Sequence, residues 1–258
     1  MGVPLGIVLA VVAAIAVVAG FTLYATGNLA LSVQKDAESV LLLSINRSNA
    51  VESYEIKYAV ENSVKSTTDD VQINGSMGIT KYGDTKRIAY ELEFLGSPTV
   101  IEIYQSPGET ITCSAPFGER LCQKIPTAPP VQSPVEQQEQ LQKQLEDGVV
   151  SLSYTGESRF AGRTCDTIRA SYDIQKLIDE SEDQVGQGAR AIKSMTLDVC
   201  IDTESGLPLS TVVNMVIDSP QAKGSVMTAL TASSFRLSAE KIEIPEAEEA
   251  QQPPLEDL

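Results

Sequence analysis

Four cysteines, Cys113, Cys122, Cys165 and Cys200, are the residues best equipped for covalent or metal chemistry in this 258-residue chain. No Cys-x-x-Cys spacing occurs and all four lie in strand-like sequence, which argues against a zinc knuckle and for bridges. The chain has no His and no Trp. Without His there is no Ser-His-Asp or Cys-His nucleophile system and no imidazole metal ligand. The acid clusters Asp69-Asp70, Glu180-Ser181-Glu182-Asp183 and Glu246 to Glu249 match no calcium loop and read as solvated turns. Gly186-Gln187-Gly188 lacks the third glycine and the strand-loop-helix setting of a phosphate cradle. Nothing positively indicates paired carboxylates for hydrolysis. The expectation is a protein with no catalytic residue, no metal and no cofactor.

Side-chain parity suggests how the cysteines pair. Phe160, Ile168, Ala170 and Tyr172 share one strand face, which leaves Cys165 with Arg163, Thr167 and Arg169. Met195, Leu197, Val199 and Ile201 likewise leave Cys200 with Thr196, Asp198 and Asp202. An antiparallel register with Cys165 opposite Cys200 sets Arg163 against Asp202 and Ile168 against Leu197, satisfying both faces. Cys113 and Cys122 then close a hairpin around Pro116-Phe117-Gly118. Two bridges imply an oxidising compartment, so the domain is expected outside the cytoplasm. Asn46-Arg47-Ser48 and Asn74-Gly75-Ser76 are glycosylation sequons that would be accessible there.

The elements that carry these residues follow from period and punctuation. Asp36 caps a helix running to Asn49, with apolar residues at 37, 40, 41 and 45. Tyr54 to Val60 alternates as a strand, and Val71, Ile73, Met77 and Ile79 continue that pattern. Tyr82-Gly83-Asp84 is a turn, after which Ile88, Tyr90, Leu92 and Phe94 oppose Arg87, Glu91 and Glu93. Thr99 to Tyr104, Thr110 to Cys113 and Arg120 to Ile125 are further strands. A Pro/Gln-rich insertion at 126–148 holds an extended Pro-rich link and a polar helix from Val135 to Asp147, stopped by Gly148. Ser158 to Tyr172 reads as one strand, and Asp173 to Glu180 as a short helix. Met195 to Asp202 and Leu207 to Asp218 form a hairpin, and Met227 to Leu237 is the last strand region. The class is α+β, mainly antiparallel, with no βαβ alternation and a sheet wet on one side.

Charge is distributed unevenly. No charged residue precedes Lys35, and the rest carries 35 acids against 19 bases, a net of -16. Such a surface repels phosphate backbones and excludes non-specific nucleic-acid binding. Leu5 to Ala25 is a run of 21 residues without a charged or amide side chain. As a helix it would span about 31 Å, matching the hydrocarbon core. The n-region lacks a basic residue and the run exceeds a signal-peptide core, so an uncleaved anchor over 1–27 is favoured, with a signal peptide as the alternative. Residues 28–246 read as one β-rich domain, and 247–258 as an acidic, disordered tail. The expected location is therefore the cell membrane, single-pass, with the domain extracytoplasmic.

The segments "AGRTCDTIRASYD", "LDVCIDTESGLPLSTVVNMV" and "SSFRLSAEKIEIPE", in this order after a helix and several strands, resemble the LolA-like lipoprotein-carrier superfamily. Gly162-Arg163 stands where that superfamily opens a strand, and Asp202 to Pro208 matches its Asp-x-x-x-Gly-Leu-Pro hairpin. The resemblance covers about residues 36 to 246 and implies a half-open antiparallel β-barrel with helices on its concave side. The membrane helix, the cysteines and the Pro/Gln insertion depart from the pattern. What it implies for function is a concave apolar surface for a lipid, an acyl chain or another hydrophobic ligand, as in a lipid or lipoprotein carrier. The partners are then the membrane and that ligand. Tyr54, Ile56, Tyr58, Ile73, Ile79, Ile88, Tyr90, Leu92 and Phe94 would line it by alternation. The competing reading is an extracytoplasmic sensor or protein-interaction domain whose core is filled.

Overall fold

The computed structural model describes residues 36–66, 70–94, 97–115, 120–125, 134–180, 191–218 and 223–249. The expected membrane segment, the link at 126–133 and most of the Gly-rich stretch after Glu180 lie outside them. Among the described residues no helix is long and apolar enough to cross a membrane.

The described residues hold three helices: α1 (Ala37–Ala50), α2 (Pro134–Glu146) and α3 (Ile174–Glu180). Asp36 caps α1, its carboxylate accepting from the Ser39 amide at 2.7 Å. Gly148, at φ 67°, turns the chain out of α2, as expected. The strands are β1 (Ser53–Ser66), β2 (Asp70–Tyr82), β3 (Thr85–Phe94), β4 (Ser97–Ser106), β5 (Glu109–Ser114) and β6 (Leu121–Ile125). They continue as β7 (Val150–Phe160), β8 (Arg163–Tyr172), β9 (Ile192–Asp202), β10 (Pro208–Asp218), β11 (Lys223–Arg236) and the two-residue β12 (Glu248–Glu249). Their hydrogen-bonded order is β12-β6-β5-β4-β3-β2-β1-β11-β10-β9-β8-β7. Among the described residues that order does not return on itself. Its pairings are antiparallel from β2 to β6 and from β7 to β11, while the β12–β6 bridge is parallel.

The chain forms two compact units. Unit 1 takes α1, residues 58–74 of β1 and β2, and the segment 132–233. Here α1 packs against β7, β8 and β9. The close fit requires Gly206, whose φ is 72° and whose missing Cβ would strike the Ser44 carbonyl and lie 2.8 Å from Arg47 Cβ. Arg47 donates to the Thr203 carbonyl of the same turn. Unit 2 takes residues 52–57, 75–131 and 234–258. On one side of its sheet Tyr104, Ile111 and Cys113 are buried, with Cys122, Ile242 and Ala247 packed against them. Arg87 and Arg120 lie over the Tyr104 ring, each 5.9 Å from its centroid, and both ion-pair with Glu102. Burial would raise the Glu102 carboxyl, but the two guanidiniums outweigh it and hold the group below its usual range.

Two expectations need correction. Ser158 to Tyr172 is not one strand: β7 and β8 form a hairpin turning at Ala161 (φ 48°) and Gly162 (φ 77°). Two positive-φ residues in a two-residue loop match the twist of the flanking strands. The β8–β9 register is displaced by two residues, with Thr167 opposite Cys200, Cys165 opposite Asp202 and Arg169 opposite Asp198. A shift of two preserves every side chain's face, so parity alone does not distinguish the two registers. Ala247 packs against the Tyr104 cluster and Glu248-Glu249 pair with β6, while residues 250–258 of the expected tail lie outside the described residues.

Candidate functional site

Both expected disulfides are present. Cys113–Cys122 joins directly opposed residues of β5 and β6, with a Cα–Cα distance of 4.0 Å. Cys165–Cys200 is diagonal across β8 and β9 and spans 5.3 Å. Beside it Arg163 donates to both Asp202 oxygens at 2.8 and 2.9 Å, and to Glu204 at 2.6 Å. Asp202 is buried and also accepts from the Ser205 amide and hydroxyl. Burial pushes its carboxyl up, yet Arg163 and Ser205 together hold it below the usual carboxylate range. This cluster ties the β9–β10 turn to β8.

The apolar face expected to hold a ligand falls partly in each unit. Tyr58 belongs to unit 1, where it is fully buried and donates its hydroxyl to the Pro208 carbonyl at 2.6 Å. Across the same interior Asn62 accepts from Thr228 at 2.8 Å, while Asn62 Nδ2 and Thr211 Oγ1 find no partner among the described residues. These polar positions were not anticipated, since their strand periodicity alone marks them only as inward-facing.

Tyr54, Ile56, Ile79, Ile88 and Tyr90 belong to unit 2. Their arrangement follows from the turn at Gly83-Asp84, which sets Tyr82 opposite Thr85 and fixes the register of β2 on β3. Three rows result on one face of β2, β3 and β4. Lys81 faces Lys86, which faces Gln105. Ile79 faces Ile88, which faces Ile103. Met77 faces Tyr90, which faces Ile101. On β1, the Gly83 amide bonds the Glu52 carbonyl at 2.9 Å. Leu92 faces Gly75 and Thr99 in the next row of the backbone. The side chains of Leu92 and Phe94 lie outside the described set.

Burial along this face is graded. Ile79 and Ile88 are 5% and 4% exposed, Ile101 and Ile103 half-buried, and Leu121 and Ile125 on β6 54% and 41% exposed. The face passes from closed core at β2 and β3 to half-buried isoleucines on β4, is polar on β5 at Ser114, Thr112 and Thr110, and shows Leu121 and Ile125 again on β6. Burial raises the phenol of Tyr54 to about 12 and that of Tyr90 in the same direction, so both stay neutral and hydrophobic at physiological pH. Asn46 is enclosed within unit 1 at 5% exposure, whereas the sequon residue Asn74 is exposed on β2. Among the described residues no cluster of acids or cysteines suits a metal ion.

No known protein family and no curated protein matches the sequence. Among solved structures the chain is similar to MucB in its complex with the periplasmic part of MucA, at 14% identity and a TM-score of 0.36. That match covers 78% of this chain and 56% of MucB, so the chain spans little more than half of the MucB length. It is also similar to the Mycobacterium tuberculosis lipoprotein LppX, at 10% identity and TM-score 0.36, over 73% of this chain and 89% of that one. An uncharacterized conserved protein from Thermus thermophilus matches at 12% identity and TM-score 0.40, over 81% and 97% of the two chains.

Proposed function

We propose that this chain is a membrane-anchored, extracytoplasmic binding protein for a hydrophobic molecule, a lipid or acyl chain, and that it performs no covalent chemistry. The observation that carries this reading is the graded apolar face of unit 2. Ile103 and Ile101 continue the closed core of β2 and β3 into half-buried surface on β4, where Ser114, Thr112 and Thr110 of β5 form the polar margin before Leu121 and Ile125 on β6. A binding surface needs apolar side chains with polar groups at the margin, and the Ile79–Ile88–Ile103 and Met77–Tyr90–Ile101 rows, bordered by the lysines and by β5, have that form. The two disulfides fit an oxidising compartment, where the Leu5–Ala25 segment would hold the domain at a membrane. The resemblance of the Gly162 to Pro208 segments to LolA-like carriers points the same way, toward lipid or lipoprotein carriage.

The test is a titration of the full chain with a fluorescent apolar probe, repeated on Ile101→Asp. A half-buried position tolerates the charge, so binding should fall while the melting temperature stays within a few degrees. An unchanged probe affinity in Ile101→Asp, or no probe binding by the parent protein, contradicts the reading and favours a filled scaffold for protein contacts.

A further inference from the structure

The rows on the unit 2 face run from charged to apolar along the strand direction. At one end Lys81 and Lys86 stand directly opposite each other, a like-charge pair that a sheet normally avoids. Gln105 continues that row on β4, and Thr110 on β5. One step along each strand pair begins the isoleucine row, and the next holds Tyr90 and Ile101. A cationic edge bordering an apolar plane is complementary to a molecule with a negative head and a hydrocarbon tail.

Resting on the binding function above, we propose that this face takes an amphiphile with an anionic head group. The head lies against Lys86 and Lys81, and the tail runs along Ile103, Tyr90 and Ile101. The groups that face Lys86 fit that role. Lys81 also feels Asp84 and Glu52, whose charges partly offset its own burial. Lys86 feels the like charge of Lys81, and Gln105, opposite it on β4, carries no charge. Burial, reinforced by Lys81, pushes the Lys86 ammonium down to about 8. An anion set between the two ammonium groups removes their repulsion and supplies the countercharge that the sheet withholds from Lys86.

The experiment uses the full chain in mild detergent with three probes: a conjugated-polyene fatty acid, its methyl ester, and an alkyl phosphate of similar chain length as competitor. The acid should bind about tenfold or more tightly than the ester, the scale of one charge-assisted contact. Lys86→Met should erase that preference and leave ester binding intact, and Lys86→Arg should restore it. Acid affinity should fall as pH rises through about 8, where Lys86 loses its charge. Stronger competition by the alkyl phosphate assigns the head to a phosphate, and weaker competition to a carboxylate; both support the site. Equal binding of acid and ester, or an unaltered preference in Lys86→Met, overturns the head-group assignment and leaves hydrophobic binding standing. Failure of every probe to bind overturns both.

Discussion

At the residue scale two charged groups have opposite consequences for stability. Asp202 is buried and held by a bidentate Arg163 and two Ser205 donors. Asp202→Ala leaves Arg163 without its main partner and should cost about 3–5 kcal/mol in denaturant unfolding. Because the folded carboxyl is depressed, its contribution is present above its ordinary value of 3.8 and is lost as pH falls through the folded value. Lys86 behaves the other way. Its folded ammonium titrates near 8 against 10.5 in the unfolded chain, so it destabilises fully below pH 8. Stability of the ligand-free protein should therefore rise between pH 8 and 10.5, and Lys86→Met should abolish that rise; a pH series of melting temperatures checks both. The Asp202–Arg163 partnership was legible from sequence because both residues share a face with the cysteines. The Lys81–Lys86 opposition was not drawn from the sequence, although a two-residue loop at Gly83-Asp84 fixes it by counting outward.

Bridges and turns set the stability of the elements. Cys165–Cys200 closes a separation of 35 residues and Cys113–Cys122 one of 9. By loop entropy, replacing the first pair with serine should cost about 3–4 kcal/mol and the second about 2–3. The ordering of the two losses, read by chemical denaturation of each double variant, checks the assignment. Gly206→Ala should cost about 2–4 kcal/mol, since the turn needs positive φ and α1 leaves no space for a methyl group. Most elements were readable from period and punctuation: the Asp36 cap, the Gly83 turn and the Thr203 to Gly206 hairpin all stand where sequence places them. The β7–β8 hairpin was missed because its loop is only the two residues Ala161-Gly162, with no Asn, Asp or Pro to mark a turn. The two-residue register shift in β8–β9 escaped because alternation repeats every second residue.

At the scale of the whole molecule, the proposed function combines a disulfide-bonded β-rich region with an apolar face bordered by lysines, with Leu5–Ala25 as the proposed anchor. Protease added to sealed intact cells should remove the region beyond Leu5–Ala25, and full protection of that region would reverse the proposed orientation. Parity revealed the apolar face, but not its gradation from closed to open, because exposure depends on which neighbours cover each strand. The central claim is that this face carries a hydrophobic ligand. Native mass spectrometry of the full chain after gentle detergent extraction tests it most directly. If the face binds a lipid, a bound species should appear that leaves only on collisional activation, has the mass of an amphiphile, and is depleted in Ile101→Asp. A parent protein of bare polypeptide mass, with no uptake of added lipid, would contradict it.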